Sequence, residues 1–393
     1  MASRYPTFAV LLGTILLIVS SRGPFAIAQS FSAAVVYPTG SAPQGLAAID
    51  VNQDSLADLL TVNSGSNTVS ILLNQRVAPG TFSLVPVTFP TGGTYPVALA
   101  LADVNSDKQA DMVVVNEMSS TVSVLLNSAT TSLFSRATTY SSGGVAPRGV
   151  AVGDVNNDGL PDIVLTTIGT NKIGILLNSP ATPGKFLPVA TFSSGSVRPE
   201  GIVLEDVDGD TYLDVLVTNQ RNNSVSVLLN SPKKPGKFLA GSSYASSGTT
   251  PRGISVSDLN GDGRPDVALT NEGTGSVAIL LNSSTAKGSF SNGTIYTSGA
   301  NNPVGIAVGD VNGDQQRDIV VADYAAKKGT TLCILLNSVT APGTFSAPPA
   351  IYDSNGTGPH SVVLRDLNND GRLDIATTNL GSDTVGVLLN IGK

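Results

Sequence analysis

The sequence is poor in the residue types that build disulfide frameworks and most catalytic centres. Its 393 residues include one cysteine, one histidine and no tryptophan, and only 13% of them are charged. A single cysteine excludes an internal disulfide, so something else must brace the fold. Cys333 lies in an apolar, strand-like run and is interpreted as a small core residue. His360 has no nucleophile motif beside it, which favours a loop residue over a general base and predicts a protein that is not an enzyme.

Long apolar runs are also absent, except near the N-terminus. Residues 8–19 are apolar and follow Arg4, which matches the h-region of a signal peptide and is too short to span a membrane comfortably. Residues 26–28 read Ala-Ile-Ala, a small-x-small cleavage pattern. We therefore expect residues 1–28 to be a signal peptide and the mature protein to be secreted or extracytoplasmic, in the periplasm or at the cell surface. The alternative is an uncleaved N-terminal anchor.

What the sequence does contain is a repeat. Glycine is abundant, at 41 residues, and the composition is turn-rich and typical of β structure. A unit of about 52 residues recurs seven times, each with an acidic nonamer whose first Asp stands at position 50, 103, 154, 206, 258, 310 or 366. The clearest copy, residues 258–266, reads D-L-N-G-D-G-R-P-D. An array of this kind can grow as one unit, so residues 29–393 are predicted to form a single repeat domain.

Each unit has the pattern of four short strands. An apolar strand such as residues 149–153 precedes the nonamer, and a second such as 163–167 follows it. A third ends in V-L-L-N, as at 122–127, and a fourth runs from Phe to an aromatic residue, as at 134–140. The last unit lacks its fourth strand, whereas an extra one, residues 31–37, precedes the first unit. This permutation favours a closed ring over a linear solenoid. We therefore predict an all-β, seven-bladed β-propeller in which the N-terminal strand completes the last blade.

The nonamers place oxygen-bearing side chains at their first, third, fifth and ninth positions. They hold 22 of the 29 acidic residues in the chain, and such crowded carboxylates repel one another unless a cation lies among them. Ca²⁺ takes six to eight oxygen ligands, including carboxylates, amides and a backbone carbonyl, here that of the seventh residue, whereas Mg²⁺ demands a tighter octahedron. The spacing therefore predicts up to seven bound Ca²⁺ ions; the alternative is Asp/Asn turns that bind no metal. The predicted ligands are Asp50, Asn52, Asp54, Asp58, Asp103, Asn105, Asp107, Asp111, Asp154, Asn156, Asp158, Asp162, Asp206, Asp208, Asp210, Asp214, Asp258, Asn260, Asp262, Asp266, Asp310, Asn312, Asp314, Asp318, Asp366, Asn368, Asp370 and Asp374.

The sixth position of the nonamer requires a positive φ, which glycine adopts freely. Three loops have glycine there, and the other four have Ser55, Lys108, Thr211 and Gln315. We expect these four loops to bind the cation more weakly.

The nonamer after a G-[IV]-A-V strand, preceded by P-x-G and repeated seven times, resembles the FG-GAP/VCBS repeat family and the propeller of integrin α chains. The resemblance covers essentially all of residues 29–393. It implies Ca²⁺ at the nonamers and, by analogy, a role in adhesion or ligand binding. The integrin F-G-x-G-A-P element is not reproduced, since residues 43–45 read Pro-Gln-Gly.

The face opposite the acidic loops is the predicted binding surface, because its loops differ between repeats. One residue per unit should surround the mouth of the central channel: Gln44, Val97, Arg148, Glu200, Arg252, Val304 and His360. The loops between second and third strands add Glu117, Met118, Lys172, Arg221, Glu272, Asp323, Tyr324, Lys327 and Lys328. This mixed polar set could hold an acidic polymer or a protein loop; solvated loop tips without a ligand are the alternative.

These features predict a non-catalytic adhesion or protein-binding module whose partner is a protein or an extracellular glycan. The alternatives are a carbohydrate-binding lectin and a polysaccharide-active propeller of the lyase type. The sequence has no basic stripe with interleaved aromatic residues, the pattern typical of nucleic-acid binding. No second apolar run indicates a transmembrane anchor.

Overall fold

The computed structural model describes residues 30–128, 133–325 and 329–392, which form seven four-stranded antiparallel sheets. The first strands of successive sheets pack against one another in a closed order, because the last of them also packs on the first. This arrangement confirms the predicted all-β, seven-bladed propeller. The signal peptide predicted for residues 1–28 lies outside the described residues.

The strands of each blade fall into four classes, counted from the channel outward. The first strands are β2 (Pro43–Ile49), β6 (Pro96–Ala102), β10 (Pro147–Gly153), β14 (Pro199–Glu205), β18 (Pro251–Ser257), β22 (Pro303–Gly309) and β26 (Pro359–Arg365). The second are β3 (Asp58–Asn63), β7 (Asp111–Asn116), β11 (Asp162–Thr167), β15 (Asp214–Asn219), β19 (Asp266–Asn271), β23 (Asp318–Asp323) and β27 (Asp374–Asn379). The third are β4 (Thr68–Leu72), β8 (Thr121–Leu125), β12 (Lys172–Leu176), β16 (Ser224–Leu228), β20 (Ser276–Leu280), β24 (Thr331–Leu335) and β28 (Thr384–Leu388). The outer strands are β1 (Val35–Pro38), β5 (Val87–Pro90), β9 (Thr138–Ser141), β13 (Ala190–Ser193), β17 (Ser242–Ala245), β21 (Thr294–Thr297) and β25 (Ala350–Asp353), and a 3-10 turn, Glu272–Thr274, follows β19.

The ring closes where the sequence predicts. Strand β1 pairs antiparallel with β28, with Val35 opposite Val387. Phe31 forms a bridge with Asn390, and the Ser32 N–H donates to the Leu389 carbonyl at 2.8 Å. The N-terminal strand therefore supplies the outer strand of the seventh blade and protects the edge of β28.

The outer strands are shorter than predicted, since regular pairing covers four residues in each. Their leading Phe forms only an isolated bridge to the Asn of V-L-L-N, as Phe134 does with Asn127. The ladder stops there in the second blade because the Ser135 hydroxyl accepts the Leu126 N–H at 3.0 Å, which replaces a backbone acceptor. The predicted strand at residues 31–37 is shortened in the same way, since the Ser32 hydroxyl accepts the Leu389 N–H.

The core lies between blades rather than within one. Val113 and Val115 of β7 pack in one cluster with Ile163 and Leu165 of β11, and the other clusters also combine neighbouring sheets. At the periphery an edge-to-face aromatic pair spans each of the seven interfaces, with ring centroids 5.3 to 5.9 Å apart. Cys333 is fully buried in such a cluster, as predicted.

Close approach at the channel explains the glycine of P-x-G. A methyl group on Gly149 would lie 2.5 Å from the Glu200 carbonyl oxygen of the next blade, and one on Gly253 would lie 2.4 Å from the Val304 carbonyl oxygen. These contacts leave no room for a side chain, so glycine sets how tightly the first strands converge.

Candidate functional site

Each acidic loop joins a first strand to a second, and its ninth-position Asp begins the second strand inside the protein. All seven ninth-position carboxyls are fully buried. In the third loop, Asp162 Oδ2 accepts the Val155 N–H at 3.1 Å and Oδ1 accepts the Asn178 N–H at 2.7 Å. Burial raises the pKa of Asp58, Asp111, Asp266 and Asp374 to about 6 and that of Asp162, Asp214 and Asp318 to about 7.

The first, third and fifth positions organise the exposed part of the loop. Asp154 accepts the backbone N–H groups of Asp158 and Gly159 at 3.1 and 2.7 Å. Asn156 Oδ1 also accepts the Asp158 N–H, and Asp158 accepts that of Leu160, both at 3.0 Å. The backbone therefore turns around its own side-chain oxygens, and the same bonds recur in the other loops.

Carboxylate oxygens converge most closely in the fourth loop, which has Asp at the third position. Oxygens of Asp206, Asp208 and Asp210 lie within 4.8 Å of one another, the one such acidic group among the described residues. Asp214 stands outside this group. The other six loops place an asparagine amide between two carboxylates. An all-oxygen donor set of this kind fits a hard divalent cation such as Ca²⁺.

The backbone of every loop takes positive φ at the sixth position, with or without glycine. Thr211 has φ 74°, and Ser55, Lys108 and Gln315 have φ between 68° and 70°. The fourth position is also left-handed in all seven loops, for example at Asn157 with φ 57°, which the sequence analysis did not anticipate. The loop geometry is therefore uniform, and six of the seven loops adopt it with a non-glycine residue at one or both of these positions, at a conformational cost.

Two seventh-position arginines contact the loops as well. The Arg372 guanidinium donates to Asp370 Oδ2 at 2.6 Å and to the Asn390 carbonyl at 3.2 Å, and Arg264 makes the same two contacts with Asp262 and Asn282. These arginines connect the fifth position of the loop to the end of the third strand.

The opposite face carries the mouth of the central channel. All seven residues predicted to surround it line one cavity of about 240 Å³ along the axis. A second cavity of about 330 Å³ lies against four of them and is termed the mouth cavity; it is lined by Gln44, Tyr95, Arg148, Arg252, Tyr324 and His360, with Ala42, Ser64, Gly65 and Leu380. Tyr95 was missed from the sequence. Of the predicted loop residues, Lys327 and Lys328 lie outside the described ranges.

An arc of alternating charge fixes the side chains on one side of the mouth. Arg252 donates to Glu200 at 3.1 Å and to Glu272 at 3.4 Å. Arg148 lies 3.5 Å from a Glu117 oxygen and 3.6 Å from a Glu200 oxygen. The arc therefore holds two guanidinium groups between carboxylates, and its five side chains are mostly buried.

His360 faces this arc from the seventh blade, with its imidazole edge-to-face against Tyr324 at 5.8 Å between centroids. Burial, and after it the positive charges of Arg252 and Arg148, lower the pKa of His360 to about 3. The imidazole is therefore neutral near pH 7.

Comparison with protein families matches an FG-GAP-like repeat model to residues 50–114, 103–165, 206–269, 258–321 and 316–377. Together these segments cover more than half of the chain. The chain belongs to the FG-GAP-like repeat family. The first four matched segments run from one acidic loop into the second strand that follows the next loop, and the fifth begins at Gln316 near the end of the sixth loop and ends in β27. The repeat model therefore includes the residues that turn around their own oxygens. No curated protein sequence matches significantly.

Solved structures share the fold of this FG-GAP propeller at low sequence identity. The BBS1N chain of a complex with ARL6DN matches with a TM-score of 0.62 and 10% identity, over 93% of this chain and 98% of that one. A protein provisionally assigned as a 6-phosphogluconolactonase from Bacteroides uniformis matches with a TM-score of 0.58 and 13% identity, over 78% and 85%. A functionally unknown protein from Desulfotomaculum acetoxidans gives 0.53 and 14%, over 80% and 90%. At this identity the likeness shows the fold alone.

The asparagine of V-L-L-N joins successive FG-GAP repeats, a role the sequence analysis missed. Asn230 Nδ2 donates to the Val155 carbonyl in the acidic loop of the preceding blade at 2.8 Å, and its Oδ1 accepts the Gly236 N–H of the Pro-Gly turn at 3.1 Å. Its own N–H donates to Asp214 at 2.7 Å. The signal available was the separation of 16 residues between Asp214 and Asn230, which recurs in six of the seven units and is 19 residues in the sixth. In the described part of the chain, no helix has the length and apolarity needed to cross a bilayer.

Proposed function

We propose that this FG-GAP propeller is a secreted calcium-binding module that binds a protein partner, without catalysis, through the face opposite its acidic loops. The convergence of Asp206, Asp208 and Asp210 carries the calcium part of the proposal. In each loop the first, third and fifth side chains would hold the cation, with the ninth-position Asp behind them and the seventh-position carbonyl as a further donor. The bound ion would offset the repulsion between carboxylates and brace a fold that has one cysteine.

Calorimetric titration of the EDTA-treated protein with Ca²⁺ tests this proposal. We expect uptake of several ions per chain and a rise in melting temperature, because a ligand that binds only the folded state stabilises it. Mg²⁺ titrated under the same conditions should bind more weakly. A triple variant with Asp206→Asn, Asp208→Asn and Asp210→Asn should take up one ion fewer. No heat of binding and an unchanged melting curve would mean that the loops are Asp/Asn turns that bind no metal.

Secretion is tested separately, by N-terminal sequencing of protein recovered from outside the cytoplasm of the expressing cell. We expect the recovered chain to begin at Gln29. A chain that retains residues 1–28 would support the uncleaved anchor instead. The lectin and lyase alternatives predict sugar binding, which titration with galacturonate and galactose tests.

A further inference from the structure

The mouth cavity differs in charge from the rest of the propeller. The chain has a formal net charge of -7, yet the residues that line this cavity include two arginines and no carboxylate. The three acids of the arc are absent from its lining. Its volume of about 330 Å³ lies at the lower end of the range for ligand pockets, and its few polar groups converge from different blades.

The two arginines are not equivalent. Arg252 is held by hydrogen bonds to Glu200 and Glu272, which engage one donor on each of its two terminal nitrogens. The nearest carboxylate oxygens to Arg148 stand at 3.5 and 3.6 Å, beyond the usual N–H···O distance. Its Nε, which is buried on the side of Glu200, has no hydrogen-bond partner among the described residues, so a ligand would meet the terminal nitrogens. The Arg148 side chain is 20% exposed at the mouth. It is therefore oriented by its acidic neighbours without being saturated by them.

The two arginines act electrostatically on His360, which lines the same cavity. At His360 the charges that act are those of Arg252 and Arg148, and both oppose protonation of the imidazole. An anion placed between Arg148 and His360 would be attracted by these two positive charges, whereas a cation would be repelled by them.

We infer that the mouth cavity binds one carboxylate group, carried by an Asp or Glu side chain at the tip of a protein segment that enters along the channel axis. The Arg148 guanidinium is the principal donor, because its planar donor pair matches a carboxylate. The rings of Tyr95 and Tyr324 line the same cavity and would contact the apolar stem of that side chain. This inference rests on the proposed role as a protein-binding module and names the group that is recognised.

The shape of the mouth favours a protein tip over an acidic polysaccharide. Residues of six of the seven blades line the cavity, so a ligand enters end-on rather than lying along an open groove. The positions equivalent to Arg148 in the second and sixth blades are Val97 and Val304, so the described residues of the channel lining form no row of basic side chains that could follow a polyanion. One unsaturated guanidinium recognises one carboxylate.

Ligand-observed NMR titration of the calcium-saturated full chain tests the inference with four probes. These are the capped tripeptides acetyl-Gly-Glu-Gly-amide and acetyl-Gly-Gln-Gly-amide, galacturonate and galactose. We expect the Glu peptide to bind with a dissociation constant in the millimolar range and the Gln peptide to bind at least tenfold more weakly. Binding of galacturonate with no binding of the Glu peptide would overturn the protein-tip assignment in favour of an acidic sugar, and binding of galactose equal to galacturonate would exclude carboxylate recognition.

Two substitutions locate the site. Arg148→Gln should weaken binding of the Glu peptide at least tenfold, and Arg148→Lys should retain part of it because the charge remains while the planar donor pair is lost. Arg221→Gln removes an exposed arginine outside the cavity lining and should leave binding unchanged. Melting temperatures of all three are compared with the parent protein. If the folded Arg148→Gln and Arg148→Lys variants bind like the parent, the inference is wrong.

Failure here is distinguishable from failure of the calcium proposal, because Ca²⁺ uptake is measured on the same protein before the peptide is added. Uptake of Ca²⁺ with no peptide binding contradicts only the carboxylate site. Peptide binding that requires Arg148 in a chain that takes up no Ca²⁺ supports the site and contradicts the metal proposal.

Discussion

The two faces of the propeller differ in how their residues repeat. On one face seven loops have nearly the same oxygen-bearing side chains, the same left-handed residues and the same hydrogen bonds to their own backbone. On the other face the seven equivalent positions hold Gln, Val, Arg, Glu, Arg, Val and His. A feature needed in every blade serves the fold, whereas a feature that breaks the sevenfold pattern provides a single place for a ligand.

The test of this contrast with the largest expected effect is removal of calcium at two pH values. Burial raises the pKa of the ninth-position carboxyls in the folded chain from the ordinary value of 3.8 to about 6 to 7. Between these values the folded chain binds more protons than the unfolded chain, so its stability falls as pH rises. We therefore expect the protein in EDTA to melt at a higher temperature at pH 5 than at pH 8.

Millimolar Ca²⁺ should reverse this order, because its ligands must be ionised. For a dissociation constant of roughly 10⁻⁴ M, each site contributes about 1.4 kcal/mol at millimolar calcium. Melting curves in EDTA that do not change between pH 5 and pH 8 would mean that the seven buried carboxyls stay ionised and that their backbone N–H partners suffice.

A single substitution distinguishes two positions within one loop. Asp162→Ala removes a buried acceptor and leaves the N–H groups of Val155 and Asn178 without partners. We expect a loss of about 3–5 kcal/mol in the free energy of unfolding, measured by urea denaturation in EDTA. Asp154→Ala is the matched control, since water can replace its side chain, and should cost about 1 kcal/mol or less under the same conditions. Equal losses would contradict the separation of a structural carboxyl from the exposed part of the loop.

The fold could be predicted from the sequence because the unit repeats seven times and the missing last strand reappears before the first unit. The lengths of the outer strands could not be predicted. They depend on whether a side chain such as the Ser135 hydroxyl accepts a ladder N–H, and strand propensity does not encode this competition.

The sequence shows where each loop has its oxygen-bearing side chains but not which of them the packed ring buries. Spacing identified the oxygen-bearing residues, but it gave the ninth-position Asp the same role as the others, because burial is a property of the packed ring. The contacts of Asn230 with the preceding blade were equally invisible, since they join residues about 75 positions apart. Tyr95 was missed because its place in the mouth depends on its own backbone conformation. It lies in the loop before β6 with a positive φ of 58°, which no local sequence pattern indicates.

The smallest predicted effect concerns the fourth loop, which adopts the shared backbone conformation with a β-branched residue at its sixth position. Thr211 holds φ 74° at a position where three loops have glycine, and a β-branched side chain is strained there. Thr211→Gly should raise the free energy of unfolding by about 1 kcal/mol, because relief of the strain exceeds the entropic cost of glycine. The control is Gly263→Ala in the fifth loop, where φ is 80° and the added methyl group meets no atom within 4 Å. Its expected decrease in the free energy of unfolding therefore reports the cost of the backbone conformation alone. A stabilised first variant and a destabilised second one, measured by urea denaturation in EDTA, would show that the loop geometry is imposed by the blade. Destabilisation of both would mean that the Thr211 side chain contributes contacts that outweigh its strain.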